Sequence, residues 1–372
     1  MTMSESTLGV GIIGVSPDRG WAATAHIPAL HALPNYEIRA LSAHNAQSAR
    51  AAGDKFGVSA VFSDHEQLVT RPDIDVVAVT VKVPHHRELV DAAVAAGKAV
   101  YCEWPLGRDL DDARAMAAFA DERGVRTAVG LQARQTPAIE FVQQLLADGY
   151  LGEVLSTTLV GLSMPGGIVG RPNAYMLDNT NGANLLTISV GHSLDVLNHV
   201  LGEFAELSAV SELRRSRITV EETGEQILKT AADQIAVIGT LTSGATASIH
   251  IREAVAGGTG YAWEINGTDG TLRITADAAH PQIFPLTVTG ARGSGELAEL
   301  AIPATLTDKW PALIGLQGTP AYNVGHAYAA FAADIDNGTQ GHTVPGFADA
   351  VRRHEVIAAI ERSAASGERV KV

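Results

Sequence analysis

Glycines punctuate the run Gly11-Ile12-Ile13-Gly14-Val15-Ser16-Pro17-Asp18-Arg19-Gly20, which follows a short apolar stretch and precedes a helix-compatible segment. At such a junction glycine lets the backbone approach a diphosphate, and the first N–H groups and positive end of the helix face the same anion. The spacing departs from G-x-G-x-x-G, since five residues separate Gly14 from Gly20, and the same arrangement also serves as an ordinary strand-to-helix turn. A dinucleotide cradled in this loop would meet Gly14, Ser16, Gly20 and Trp21. In NAD-selective proteins the second strand of such a unit ends in an acid that binds the ribose hydroxyls. In this chain that end reads Leu41-Ser42-Ala43-His44-Asn45 and carries no acid. Repulsion against a 2′-phosphate is thereby removed, and Ser42, His44 and Asn45, with Arg50, can contact it. The expected cofactor is NADP or NAD, with NADP(H) or dual use favoured. No set of His, Cys, Asp and Glu has metal-ligand spacing, so no metal site is expected. The adjacent His85 and His86 would not face one site on a helix.

The elements that position this loop read as alternating strands and helices. Strands are expected at 8–15, 36–42, 58–62, 74–81, 99–102 and 126–131, and helices at 21–33, 46–56, 86–96 and 110–123. Glycines at 97 and 124 stop two of the helices. This alternation predicts a doubly wound parallel sheet. The pattern then changes. A helix at 137–148, a strand at 152–161, a Gly-, Pro- and Asn-rich loop at 162–184 and a helix at 185–201 are followed by strand-like runs at 234–242, 245–251, 262–266 and 271–275. Gly267-Thr268-Asp269-Gly270 suits a hairpin between the last two. A largely antiparallel sheet with one helix-covered face is expected, closed by helices at 324–336 and 347–365.

A length of 372 residues suits two domains, and 46% hydrophobic with 18% charged residues is a globular balance. The net charge of −14 excludes a nucleic-acid surface, which needs clustered Lys and Arg. The single cysteine, Cys102, permits no intrachain disulfide and lies on an expected buried strand, where it would be inert. No apolar run reaches the length of a membrane helix, and Met1–Thr7 lacks the features of a signal peptide. A cytoplasmic protein without membrane contact is expected.

Several stretches then align in order. They are Gly20-Trp21-Ala22 with His26 and Pro28, Val83-Pro84-His85-His86, Cys102-Glu103-Trp104-Pro105-Leu106, Gly130-Leu131-Gln132-Ala133-Arg134 with Pro137, Gly152-Glu153-Val154, His192-Ser193-Leu194-Asp195 and Gly267-Thr268-Asp269-Gly270. Together they resemble the glucose–fructose oxidoreductase, inositol dehydrogenase and rhizopine-catabolism (Gfo/Idh/MocA) family over nearly the whole chain. Within it, Gly14-x-Ser16-x-x-x-Gly20-Trp21-Ala22, Val81-Lys82-Val83-Pro84, Glu103-Trp104 and Asn181-Gly182 leading to Gly191-His192 look like the branch that contains a yeast galactose-pathway repressor. The resemblance implies a dinucleotide-binding Rossmann domain at 1–132 and a C-terminal α/β domain at 133–372. The latter's large open, mainly antiparallel sheet would carry substrate on one face and a homodimer or homotetramer interface on the other. Val83, Pro84, Glu103, Trp104 and Gln132 join the expected cofactor contacts.

The sequence departs from the family at the centre of its chemistry. The usual Glu-Lys-Pro lysine is replaced by Trp104, whose indole donates a hydrogen bond but accepts no proton. The usual aspartate four residues before the motif histidine is Ile188, or Thr187 with one insertion. His192 remains as the candidate general acid or base, because imidazole titrates near neutrality; the competing reading is a core histidine that braces its helix. Lys82, at the end of the strongest parallel strand, is the second catalytic candidate, against a solvent-facing lysine or one paired with Glu103. Trp104, Tyr175, Asp178, Asn184 and Asp195 are candidate contacts to a sugar or polyol, with ordinary bracing roles as the alternative for each. Three functions fit. One is an NAD(P)-dependent oxidoreductase of a sugar, polyol or related hydroxy/keto compound. Another is a catalytically silent, dinucleotide-binding regulator. The last is an enzyme that oxidises and re-reduces its substrate around an elimination or hydrolysis.

Overall fold

The computed structural model describes residues 7–254, 257–336 and 343–372, with the side chains of Met164 and Pro165 excepted. By its contacts the chain divides into two units, one of residues 1–135 and 308–351, the other of 136–307 and 352–372. A division at 132/133 into two contiguous domains therefore differs from the structure over 308–351. The helix Pro320–Asp336 in that segment buries Val324, Ala327, Tyr328 and Phe331 in the same core as Val10, Leu30 and Tyr101.

The first unit is built on six parallel strands: β1 (Leu8–Ile13), β2 (Tyr36–Ser42), β3 (Val61–Phe62), β4 (Val76–Val79), β5 (Ala99–Cys102) and β6 (Thr127–Val129). Their order is β3-β2-β1-β4-β5-β6, the doubly wound arrangement whose strand order reverses beside β1. The central strands β1 and β4 are buried on both faces, which is why they read as unbroken apolar runs. For the helix Ala46–Phe56, with a capping residue before it and a stop glycine after it, sequence and structure agree to the residue. In Ala46–Phe56, Asn45 accepts from the Ser48 amide at 2.8 Å and Gly57 turns left-handed at φ 73°. The first helix begins with a π turn, Ala22–His26, before its α-helical part Ile27–Ala32.

The second unit is built on β7 (Val154–Pro165), β9 (Phe204–Glu212), β12 (Gln234–Leu241), β13 (Thr246–Ala254), β14 (Tyr261–Gly267) and β15 (Gly270–Ala276). The outer strands β16 (Thr287–Arg292), β17 (Ala298–Glu299) and β18 (Val370–Lys371) extend the same sheet. Its order among the described residues is β17-β16-β15-β14-β7-β13-β12-β9-β18. A separate small sheet joins β8 (Ile168–Val169), β10 (Arg217–Val220) and β11 (Gln226–Leu228). Pairing in the large sheet is antiparallel except between β7 and β13. β14 and β15 form the expected hairpin. Along β12, Ile235, Val237 and Leu241 are buried while Gln234, Ala236, Ile238 and Thr240 face outward, the period of two of a sheet with one covered face. The segment 162–184 is not a loop throughout. β7 continues to Pro165, β8 follows, and then come two 3-10 turns, Arg171–Leu177 and Asn179–Asn181. Glycine, proline and asparagine there supply turns and caps. The expected continuous helix over 185–201 is a π turn, Leu186–Val190, followed by an α-helix, Gly191–Leu201. No described helix is long and apolar enough to cross a membrane.

Candidate active site

Because all six strands of the first unit run parallel, the loops after β1, β2, β4, β5 and β6 lie along one edge of the sheet. That edge is where open α/β sheets collect ligands. Gly14 has φ 103°, and a Cβ there would lie 2.7 Å from Val81 Cγ1, so glycine is required by both conformation and space. The amides of Gly14 and Val15 are taken by the Ser42 carbonyl at 2.9 and 3.1 Å. Beyond them Asp18, Arg19 and Gly20 are exposed, and Gly20 is again left-handed at φ 94°. The amides of Arg19, Gly20, Trp21 and Ala22 donate to no acceptor among the described residues. These are donors of the kind a helix start leaves unsatisfied, and an array of them fits a diphosphate.

At the end of β2, Ser42 is buried, whereas His44 and Asn45 are exposed. Asn45 is already engaged, its Oδ1 as the helix cap and its Nδ2 lying 2.8 Å from His44 Nε2. Lys82 is exposed and precedes the 3-10 turn Val83–His85, in which Val83 is buried. After β5, Trp104 is only 5% exposed. After β6, Gln132 is buried, and its Oε1 has no hydrogen-bond partner among the described residues.

Glu103 belongs to an assembly that sequence reasoning missed. His26 is fully buried in the π turn, with Nε2 2.9 Å from Glu103 Oε1 and Nδ1 2.8 Å from the Tyr328 hydroxyl. An ionised carboxylate only accepts, so Nε2 carries the proton and Nδ1 accepts from Tyr328. The Tyr328 ring stacks on Tyr101 at 4.6 Å, and its carbonyl accepts from the Tyr36 hydroxyl at 2.8 Å. Glu103 is thereby fixed immediately before Trp104. His86 braces the same loop from another side, its Nδ1 3.0 Å from the Pro105 carbonyl and its Nε2 3.0 Å from that of Val81. The motif containing His26 was legible in the sequence; its partner 302 residues away was not.

In the second unit His192 is 5% exposed, and its Nδ1 has no partner among the described residues. Burial, with the nearby His280 adding to it, pushes its pKa down to about 3, so the ring is neutral at ordinary pH. Asp195 and Arg353 are each 1% exposed and form an ion pair at 3.6 Å, and Arg353 also reaches Asn198 and Glu203. The Asp195 carboxylate neutralises a buried guanidinium that local sequence could not reveal. Asn184 is likewise committed, accepting from the Thr187 amide at 3.2 Å and donating to Asn179 Oδ1 at 3.0 Å. Asp178 caps a 3-10 turn through the Thr180 amide and hydroxyl, which holds its carboxyl below the usual range. Tyr175 is half-buried in the preceding turn, and burial raises its phenol pKa. Among the described residues no group of three or more His, Cys, Asp or Glu could hold a metal ion.

A doubly wound parallel sheet in one unit and a large mixed sheet in the other define a class, and comparison with known proteins identifies it. Residues 8–131 match the oxidoreductase family with an NAD-binding Rossmann fold, and 137–276 match the C-terminal domain of Gal80p. The first of these matches is to the Gfo/Idh/MocA oxidoreductase family and covers the residues that carry the parallel sheet. Dehydrogenase aclE of Aspergillus oryzae is 37% identical over 210 residues, 54% of this chain and 56% of its own length, so the match spans little more than half of that relative. The galactose/lactose metabolism regulatory protein GAL80 of Saccharomyces cerevisiae is 27% identical over 306 residues, 74% of this chain and 68% of its own. The crystal structure of a super-repressor mutant of that protein superposes with a TM-score of 0.87 at 23% identity, covering 99% of this chain and 98% of its own. Levoglucosan dehydrogenase in complex with NADH and L-sorbose shares the fold at a TM-score of 0.83 and 24% identity, covering 99% of each chain.

Proposed function

We propose that this protein is an NAD(P)-dependent oxidoreductase that transfers a hydride between a nicotinamide cofactor and a sugar, polyol or related hydroxy or keto compound. The observation that carries this reading is the row of donor amides at Arg19–Ala22, on the carboxyl edge of a β3-β2-β1-β4-β5-β6 parallel sheet, in a chain related to dehydrogenases. The cofactor supplies or takes the hydride. The loop from Gly14 to Trp21 holds its diphosphate. His44 and Asn45, at a strand end whose residues 41–45 include no acid, admit NADP as well as NAD. Val83, Pro84, Glu103, Trp104 and Gln132 are its further contacts, and Lys82 supplies positive charge nearby. Trp104 stands where the family's lysine is usual, and its indole cannot take a proton. Within the second unit, His192 is the candidate acid or base, and Tyr175 and Asp178 are candidate contacts to a substrate. The outward sheet face, with Ile238 and Val210 more than half exposed, joins two or four copies. The protein works in the cytoplasm.

A silent dinucleotide-binding regulator is the second reading. It is favoured by the likeness to GAL80 and by the buried, partnerless Nδ1 of His192, which makes a poor base. A panel of sugars and polyols assayed for NADH or NADPH absorbance separates the two. Turnover that His192→Ala abolishes supports the enzyme. Cofactor binding with no turnover on any substrate supports the regulator. Absence of cofactor binding by a folded sample refutes both.

A further inference from the structure

Glu103 leaves β5 at the carboxyl edge of the parallel sheet, its amide donating to the Val79 carbonyl at 3.1 Å. Gly130 leaves the neighbouring strand β6, its amide donating to the Cys102 carbonyl at 2.8 Å. Three residues of this unit constrain the Glu103 carboxylate. His26 donates from Nε2 to Oε1 at 2.9 Å, and the Tyr328 hydroxyl, 2.8 Å from Nδ1, fixes the ring that does so. Burial raises the Tyr328 phenol well above its ordinary pKa, so it stays protonated and donates. The third residue is Gly130. A Cβ there would lie 2.8 Å from Cδ, Oε1 and Oε2 of Glu103 alike. Gly130 is not among the glycines of positive φ, so space for this carboxylate, and not backbone conformation, demands glycine.

The carboxylate keeps a free oxygen. The side chain is 15% exposed, and Oε2 has no hydrogen-bond partner among the described residues. An ionised carboxylate only accepts, so a ligand that meets Oε2 must bring a donor. The order β3-β2-β1-β4-β5-β6 reverses beside β1, and a dinucleotide bound across such a reversal places one nucleoside on the β2 side and the other on the β4–β5 side. His26 closes the π turn that Ala22 opens, so Glu103 is tied to the same turn whose first amides fit the diphosphate. The group that follows the diphosphate on that side is a ribose, whose adjacent hydroxyls are donors. A carboxylate on a ribose diol is a pairing that such folds use for the other nucleoside.

We propose that His26, Tyr328 and Gly130 are positioning residues that hold the Glu103 carboxylate with Oε2 turned to the hydroxyls of the ribose on the nicotinamide side of the dinucleotide. The inference rests on dinucleotide binding, which the oxidoreductase and regulator readings share, and it needs no turnover. Glu103 makes the contact, and the other three act through it. Removing the Tyr328 hydroxyl or adding a Cβ at Gly130 leaves the diphosphate amides in place and lets the carboxylate move away from the second ribose.

Isothermal titration of the full-length protein with ADP and with NADH tests this, because ADP carries the diphosphate and the adenosine ribose but not the second ribose. Glu103→Ala should lower NADH affinity roughly 10- to 100-fold, the scale of a hydrogen bond to a charged group, and leave ADP affinity within about twofold. Gly130→Ala, whose Cβ meets the end of a flexible side chain, should fold and show the same selective loss. Tyr328→Phe should lower NADH affinity about 3- to 10-fold, the scale of a neutral hydrogen bond, again with ADP unaffected. Because both residues work through Glu103, adding either substitution to Glu103→Ala should cost no further NADH affinity. Equal loss of ADP and NADH, additive losses on the Glu103→Ala background, or full NADH affinity in Glu103→Ala overturns the proposal. Should Gly130→Ala not fold, Tyr328→Phe decides by the same comparison. A folded wild type that binds neither ADP nor NADH overturns the dinucleotide reading itself.

Discussion

Replacing Gly14 or Gly20 by alanine separates the structural from the ligand-binding demands on the loop after β1. Both glycines have positive φ, 103° and 94°, where an L-residue is strained by about 1–3 kcal/mol. Only Gly14 adds a collision, since its Cβ would meet Val81 Cγ1 at 2.7 Å and the Val81 amide nitrogen at 3.0 Å, whereas nothing lies within 4 Å of a Cβ on Gly20. Val81 heads the loop after β4 and its backbone cannot yield as a surface side chain would, so overpacking adds about 1–3 kcal/mol. Gly14→Ala should therefore cost ~2–6 kcal/mol of stability and Gly20→Ala ~1–3. The difference amounts to about 2–12 °C in Tm for a unit of this size. Gly20→Ala moves the amides themselves, so its larger signature should be at least a tenfold loss of NADH affinity, about 1.4 kcal/mol. Differential scanning calorimetry and isothermal titration with NADH measure the two quantities. Equal loss of Tm in both variants, or full NADH affinity in Gly20→Ala, would refute the reasoning.

Breaking the Arg353 pair with Arg353→Met strands the buried Asp195 carboxylate and should cost about 3–5 kcal/mol by urea unfolding, with part recovered in the double variant carrying Asp195→Asn. Stability should also fall on the acid side. The pKa of His192 is pushed down to about 3 and that of His326 to about 4, from 6.5, so between these values the unfolded chain binds more protons than the folded one. Stability is then complete above pH 6.5 and is lost toward pH 4 at up to about 1.4 kcal/mol per pH unit for each ring. His326→Gln should flatten the slope in unfolding curves taken across that range; an unchanged slope would count against burial of this ring as the cause. Ile238→Lys, on the outward face of β12, should shift the protein toward monomer in sedimentation velocity without lowering Tm.

What the sequence revealed follows the range of the interactions involved. Ala46–Phe56 is bounded by its own cap and its own stop glycine, and Ala99–Cys102 by the glycine turn before it, so both ranges read true. A π turn costs one extra residue and leaves no compositional mark, so Leu186–Val190 reads as ordinary helix. The turns within 162–184 arise because Asp178 and Asn184 cap neighbouring backbone, and a string of capping residues cannot be told from a flexible loop without knowing which amides they face. Arg353 lies 155 residues from Asn198 and answers Asp195 only after folding. Nothing near position 195 announces it.

The candidate site divides along the same line. The diphosphate is held by backbone amides, which every residue but proline possesses, so its trace in the sequence is the set of glycines that conformation and space demand, and such a trace is local and readable. A substrate is distinguished by side chains, and polar side chains that meet only in the fold, as those of Ser163, Ser189 and His280 do, form no motif with one another. His192 was legible because a family pattern surrounds it, yet its local chemistry is set by burial that the pattern does not encode. It follows that relatives sharing the glycine loop can agree on the cofactor and still differ in substrate, or in whether they turn over at all. For this chain the deciding variable is the proton's destination, and a neutral His192 whose Nδ1 meets no hydrogen-bonding group among the described residues makes a poor one.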